Sequence, residues 1–183
     1  MSEKIFLRRL KEGDEEAFEE LIDKFQGKIF SLINLMVSQS SITEDLAQEV
    51  FLRIFKGIPY FREESKLSTW IYRITYNVCL AEIEKHRKSL FIIQNERLEK
   101  SPDNLNISLD KQIEKIDFEN KIRKILDLLP VNYKIVLILF YWQELSYQEI
   151  AETMKIPMGT VKTYLYRAKN LLKQKILEEK NEL

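Results

Sequence analysis

Four side chains near the C-terminal end of the chain could contact the base edges and the phosphates of DNA. A helical wheel of roughly 100° per residue places Lys162, Thr163 and Tyr166 on one side of a helix, with Arg167 at its margin. Cationic and hydroxyl side chains donate hydrogen bonds to base edges, and cations neutralise phosphates. We therefore predict that this helix face contacts DNA.

Two short amphipathic helices joined by a tight turn must position these side chains. Ser146 can cap the first helix, and Glu149 completes a capping box. The residue before Pro157 is pushed out of the α conformation, so the chain turns there, and Gly159 and Thr160 restart the helix. The second helix has an apolar stripe at Val161, Leu165, Ala168 and Leu172. A helix-turn-helix of this kind inserts its second helix into the major groove.

The cations of the second helix bear on whether it is only an ordinary solvated helix. Residues 158–175 contain five Lys or Arg and no acid. A basic solvated helix is common in helical proteins and is the alternative interpretation. The coincidence of the cap, the turn and the cationic face favours DNA binding.

Few residues are suited to catalysis or metal binding. The chain has one His and one Cys, and it has no Gly-rich phosphate loop and no metal-ligand spacing. His86 lies in a basic run and is expected to face phosphate or solvent, whereas Cys79 lies in an apolar run and is expected to be buried. We therefore predict that the protein is not an enzyme and uses no cofactor, no metal and no small-molecule substrate.

The composition indicates an all-α fold class. The 183 residues are 45% hydrophobic and include only four Gly and four Pro. Long stretches repeat apolar residues with the helical period, and none alternates in the manner of a strand. The single cysteine, the charged N-terminus and the short apolar runs predict a cytoplasmic protein.

Two small helical domains joined by a flexible linker are expected. The break at Ser89–Asp110 contains Pro, three Asn and alternating charges, which suit a solvated tether. We assign the domains to residues 1–90 and 113–183 and the linker to residues 91–112. The net charge is zero, but acids and bases are segregated along the chain, so its positive and negative surfaces are expected to bind different partners.

The segment Thr43–Gly57 has more apolar residues than one buried face requires. An inner face is supplied by Leu46, Ala47, Val50, Phe51 and Ile54. Leu52 and Phe55 are left over, and on the wheel they lie with Asp45 and Gln48. An exposed face that mixes apolar anchors with acids favours docking to a basic partner helix. The alternative is that Leu52 and Phe55 complete the same core.

The segment Tyr60–Lys88 joins a polar loop to an aromatic and basic helix. Interleaved aromatic and cationic side chains suit unstacked bases beside a phosphate backbone. Aromatic residues at helical spacing are more often core, and we assign Trp70 and Ile74 there. The candidates for contact with a single DNA strand are Phe61, Arg62, Ser65 and Lys66 in the loop, with Arg73 and Asn77 in the helix.

Both domains resemble one family, the extracytoplasmic-function (ECF) sigma factors of bacterial RNA polymerase. The matching strings are GDEEAFEEL, TEDLAQEVFLRIF and FREESKLSTWIYRITYN in the first domain and LSYQEIAETMKIPMGTVKTYLYRAK in the second. The resemblance covers nearly the whole chain, and the four strings in this order are highly specific.

The resemblance implies that the first domain is sigma region 2, which binds core RNA polymerase and melts the minus-10 element of a promoter. The positions that match its polymerase-docking helix are Asp45, Gln48, Glu49, Leu52 and Phe55. The loop from Phe61 to Leu67 matches one that captures a flipped non-template base, and Asn77 matches a residue near it. The second domain resembles region 4, which reads the minus-35 element through positions that match Lys162, Thr163, Tyr166 and Arg167. Thr160 precedes them.

The resemblance also implies partners: core RNA polymerase, promoter DNA and an anti-sigma factor, which is often anchored in the membrane. Two departures stand out, because Glu82 and Glu84 interrupt a basic run of the family, and Lys162 and Thr163 stand where Arg and Ser are frequent. The alternative function is a helix-turn-helix regulator that senses a ligand or dimerises and does not bind core polymerase. Such a regulator has no need of the second face at Leu52. A structural or inhibitory helical protein would leave the basic helix unexplained.

Overall fold

Helices account for nearly all of the structure, a computed structural model that describes residues 3–37, 40–96 and 123–181. Within these ranges the chain forms helices and short connections without a strand, which confirms the all-α prediction. The helices are α1 (Glu3–Lys11), α2 (Glu15–Met36), α3 (Thr43–Gly57), α4 (Leu67–Glu96), α5 (Val131–Tyr141), α6 (Tyr147–Met154) and α7 (Met158–Asn181), with short 3-10 turns at Ser40–Ile42 and Ile58–Tyr60. Residues 123–127 are also helical.

The first lobe, formed by α1 to α4, is organised around α2. The chain turns between α1 and α2 at Gly13, whose φ of 81° favours glycine. Asp14 then caps α2 by accepting a hydrogen bond from the Ala17 amide at 3.1 Å. The side chains of α2 that face α3 and α4 are fully buried, among them Leu21, Ile29, Leu32 and Ile33. This core holds α3 and the start of α4 in fixed positions.

Helix α4 is longer than the sequence predicts. It begins at Leu67 and continues to Glu96, past Ser89, where we expected the helical pattern to break. The reason is that no Pro or Gly occurs between Ser89 and Glu96, so nothing in the backbone forces the helix to end. The rest of the predicted linker, and the apolar stripe predicted to begin near Ile113, lie outside the described residues.

The second lobe consists of residues 123–127 and helices α5 to α7. Helix α5 is its core element, because the side chains from Ile135 to Leu139 are all buried. Helix α6 has the predicted capping box between Ser146 and Glu149. It ends at Lys155, which adopts a left-handed conformation with a φ of 54°. Helix α7 restarts immediately after Pro157, which confirms the helix-turn-helix.

The two lobes pack against each other, which the sequence does not predict. Helix α2 contacts α5, and α4 contacts α6. At the first of these contacts, the buried ammonium of Lys134 donates a hydrogen bond to the Met36 carbonyl at 3.1 Å and pairs with Asp127 at 2.5 Å. A buried cation needs such partners, because desolvation without them is strongly unfavourable. Lys134 therefore links the second lobe to the end of α2.

Candidate nucleic-acid and docking interfaces

Helix α7 presents the predicted DNA-reading side chains to solvent. Its inner stripe is buried, with Val161 and Ala168 at 0% exposure and Leu165 at 2%. The opposite side carries Lys162, Thr163, Tyr166 and Arg167, all of which are exposed. The Thr163 hydroxyl donates to the Gly159 carbonyl at 3.0 Å, and the half-buried Thr160 lies in the first turn. The candidate residues therefore form one accessible face beside the turn of the motif.

A residue of α5 that sequence reasoning missed holds one of these side chains. The Tyr133 hydroxyl accepts a hydrogen bond from the Arg167 guanidinium, which raises the pKa of Arg167. The Tyr133 ring also meets the Tyr164 ring edge-on, with the ring centroids 5.3 Å apart. No local pattern joins Tyr133 to α7 in the sequence, since the contact arises only from the packing of α5 on α7.

Helix α3 has the second apolar face that its sequence predicts. Ala47, Val50 and Ile54 are buried, whereas Leu52 is 52% exposed and Phe55 is 54% exposed. The alternative in which Leu52 and Phe55 complete the core is therefore wrong. Phe55 does touch the first lobe at one edge, because its ring meets that of Phe18 at a centroid distance of 5.1 Å.

Acidic and polar side chains surround these two apolar residues. Asp45 and Gln48 are exposed on the same helix, and Glu49 pairs with Arg53 at 2.7 Å. The face therefore combines apolar area with negative charge, as a docking site for a basic partner requires.

The loop between α3 and α4 differs from the prediction at Phe61. This ring is only 6% exposed and lies against Trp70, with the ring centroids 5.1 Å apart. Phe61 therefore supports the loop from below, and it does not offer a free ring for stacking as the sequence suggested. The exposed aromatic residue is Tyr60, at 82%, which sequence reasoning passed over even though it directly follows Pro59.

The remaining loop candidates surround an open cavity of about 450 Å³. Arg62, Ser65 and Arg73 line it together with Trp70, and Glu152 of α6 lines it from the second lobe. Two guanidinium groups beside aromatic rings are suited to hold a base and its phosphate. Asn77 is exposed one helical turn beyond Arg73 and is not among the residues that line this cavity.

Ion pairs hold the loop on two sides. Lys11 of α1 pairs with Glu63 at 2.5 Å, and Glu63 has a positive φ of 60°, which is uncommon for a residue with a side chain. On the other side, Lys66 pairs with Glu149 of α6 at 2.9 Å. This hydrogen bond, together with those from Ser146, lowers the pKa of Glu149 to about 2.

The groups that could support other chemistry do not converge. In the described part of the chain, no cluster of three or more His, Cys, Asp or Glu side chains could hold a metal ion. Cys79 is buried, and burial raises the pKa of its thiol to about 12, so the reactive thiolate is strongly disfavoured. His86 is exposed. Among the described helices, none has the length and hydropathy needed to span a bilayer.

Known proteins match this chain along most of its length. The family models of Sigma-70 region 2 and Sigma-70 region 4 match residues 7–89 and 119–172. The ECF RNA polymerase sigma factor SigW of Bacillus subtilis is 31% identical over 176 residues, which cover 93% of this chain and 94% of SigW. The ECF RNA polymerase sigma-E factor of Haemophilus influenzae is 28% identical over 195 residues, which cover 96% of both chains.

Two solved structures share the fold. CnrH, solved in complex with the cytosolic domain of CnrY, has a TM-score of 0.70 at 16% identity and covers 94% of this chain and 95% of its own. The sigma factor RpoE of Bartonella quintana, solved with the anti-sigma factor NepR, has a TM-score of 0.68 at 20% identity and covers 88% of this chain and 96% of its own.

The fold and its exposed faces define a two-lobed helical protein with a helix-turn-helix suited to DNA. With the sequence matches, the class becomes specific. The chain belongs to the ECF sigma factors of RNA polymerase. Members of this family are transcription initiation factors.

Proposed function

We propose that the protein directs core RNA polymerase to a specific set of promoters, reading two DNA elements and melting one of them. The observation that carries this proposal is the exposure of two unrelated faces on one chain. The α7 face offers cations and hydroxyls for base edges, and the α3 face offers Leu52 and Phe55 among acids. A DNA-binding regulator that works without polymerase needs only the first of these faces.

Docking to core polymerase is the role we assign to the α3 face. Leu52 and Phe55 would be buried in the contact, while Asp45, Gln48 and Glu49 would meet basic side chains of the partner. More than half of each apolar side chain is exposed in the free protein, so burial in a complex removes apolar area from water. The acids add selectivity for a basic partner and speed the encounter.

Capture of a single DNA strand is the role we assign to the cavity beside the loop. Arg62, Ser65, Lys66 and Arg73 supply hydrogen bonds and positive charge, and Asn77 extends this surface along α4. Extracting a base from a duplex costs a few kcal/mol, which stacking and pocket contacts offset. Tyr60 is the exposed ring that is available for stacking, whereas Phe61 and Trp70 form the wall of the cavity.

Recognition of the upstream element is assigned to α7. Lys162, Thr163, Tyr166 and Arg167 would contact base edges or phosphates in the major groove, with Thr160 at the start of the helix near the DNA backbone. Residues 1–90 and 113–183 would then act as separate reading domains, with residues 91–112 between them. As a polymerase subunit, the protein would act in the cytoplasm.

An anti-sigma factor is the regulatory partner that we propose. Both structures that share the fold were solved in complex with a second protein, the cytosolic domain of CnrY in one case and the anti-sigma factor NepR in the other. The exposed α3 face would be a target for such a protein, because covering Leu52 and Phe55 blocks docking to polymerase. The partner could be anchored in the membrane.

Reconstitution with core polymerase tests the proposed function. The purified chain is added to core enzyme that lacks other sigma factors, and transcript start sites are mapped across a library of genomic fragments. We expect a restricted set of starts that share two upstream sequence elements. Starts that do not depend on the chain, or binding of the chain to promoters without core enzyme or transcription, would instead support the regulator alternative.

A further inference from the structure

The first helix of the helix-turn-helix contacts the loop that we assign to strand capture. The Lys66 ammonium in the loop lies 2.9 Å from a carboxylate oxygen of Glu149, which is 83 residues away in the sequence. The other oxygen of Glu149 accepts hydrogen bonds from the Ser146 amide at 2.9 Å and the Ser146 hydroxyl at 2.7 Å. The carboxylate is therefore held in place by its own helix while it binds the loop.

A second carboxylate lies over the same region. Glu152 is on α6, three residues beyond Glu149, and it lines the cavity formed by Arg62, Arg73 and Trp70. Gln148 donates a hydrogen bond to Glu152 at 3.0 Å. The acidic side of α6, defined as Glu149 and Glu152, thus supplies negative charge to the cationic groups that we expect to hold DNA phosphates.

The contact between α6 and the loop is part of a wider interface between the lobes. Helix α4 packs on α6 behind the loop, and Tyr72 and Tyr76 of α4 are almost fully buried. At the far end, Lys134 joins the second lobe to Met36. Apolar packing and a buried cation therefore hold α6 against the loop, and the ion pair between Lys66 and Glu149 adds to a contact that already exists.

We propose that the acidic side of α6 is an internal lid on the strand-capture cavity, which occupies it in the free protein and leaves it before DNA enters. The lid follows from charge, because carboxylates and DNA phosphates compete for the same cations and repel each other. The proposal rests on the proposed function of the loop. It makes separation of the lobes a condition for strand capture, so a free sigma factor would bind single strands poorly.

Two measurements on the full chain test the lid. Glu149→Gln together with Glu152→Gln removes both charges and keeps side-chain size, and Gln still completes a capping box with Ser146. The distance between the lobes is measured by electron paramagnetic resonance with spin labels at Gln26→Cys and Gln174→Cys, which are exposed positions on α2 and α7. Affinity for a fluorescent single strand of randomised sequence is measured by anisotropy without polymerase.

We expect the double variant to shift the label distances to longer values and to bind the single strand about two- to fivefold more tightly, the range of a surface ion pair. The matched control is Glu178→Gln, which breaks the exposed pair with Lys175 in the same lobe and should change neither measurement. Unchanged distances, or longer distances without tighter binding, would overturn the lid. The distance measurement does not depend on promoter use, so failure of the proposed function in the transcription assay would be recognised separately.

Discussion

Lys11 and Glu63 form an ion pair at 2.5 Å that joins α1 to the strand-capture loop. The same ammonium lies 6.0 Å from the centroid of the Phe61 ring, which in turn rests on Trp70. Glu63 is one of the few described residues other than glycine with a positive φ. Such a conformation is held by its surroundings, so Lys11 is a positioning residue for the loop.

Replacing Lys11 by Met should weaken the binding of a single-stranded minus-10 sequence to the polymerase holoenzyme by roughly two- to fivefold, since a surface ion pair contributes up to about 1 kcal/mol. Binding to a minus-35 duplex should not change. Affinities for the two DNA forms are compared by anisotropy. Arg8→Met is the control, because Arg8 forms an exposed pair with Glu12 on the same helix at 3.9 Å. Equal weakening of both DNA forms would contradict the positioning role.

The α3 face predicts a selective loss of polymerase binding. Leu52→Asp with Phe55→Asp should reduce affinity for core polymerase by about tenfold or more, as expected when central apolar anchors of an interface are removed. The thermal unfolding temperature should stay near that of the unmodified protein, because both side chains are exposed. Leu177→Asp on α7 is a matched control, since Leu177 is 51% exposed and Leu52 is 52% exposed. Equal loss in the control would show that added charge alone weakens binding.

Arg167 should determine one base of the upstream element. Arg167→Ala is expected to relax recognition at a single position by roughly 1 to 3 kcal/mol if the contact with the base is bidentate. Affinities are measured for a set of duplexes that differ at one base pair each. Lys169→Ala is the comparison, because Lys169 lies over the Phe140 and Tyr141 rings at 5.6 and 5.5 Å. A uniform loss on every duplex would identify a phosphate contact.

Tyr133 should act on DNA recognition only through Arg167. Tyr133→Phe keeps the ring against Tyr164 but removes the hydroxyl that accepts from the Arg167 guanidinium. We expect a smaller loss of discrimination than for Arg167→Ala, at the same base position, and no further loss when both changes are combined. The same duplex set measures this double-mutant cycle. Additive losses would mean that Tyr133 contacts DNA itself or stabilises the lobe independently.

Acid should weaken the contact between Glu149 and Lys66. The hydrogen bond from Lys66 and those from Ser146 hold the pKa of Glu149 at about 2, below the ordinary value of 4.5. Because the pKa is lower in the folded protein, the stabilisation is complete above pH 4.5 and is lost as the pH falls towards 2. Compared with Glu149→Gln, the unmodified protein should lose its advantage in free energy of unfolding across this range. A constant difference would contradict the assignment.

Local patterns in the sequence were sufficient for the helices and for the faces they expose. The capping box at Ser146, the turn at Pro157 and the stripe from Val161 depend on neighbouring residues, so they could be predicted correctly. The second face of α3 was also predicted, because an inner face was already complete without Leu52 and Phe55. The end of α4 was placed too early, because polar composition suggests a linker but does not by itself end a helix.

Contacts between elements that are distant in sequence were decided only by the tertiary structure. Phe61 is buried because α1 and Trp70 close around it, and Tyr133 reaches Arg167 because α5 packs on α7. The pairing of Lys66 with Glu149 depends on how two lobes meet, and no periodicity within either lobe encodes that position. By itself, then, the sequence determined the helices, their reading faces and the family, whereas packing decided which of those faces the free protein leaves accessible.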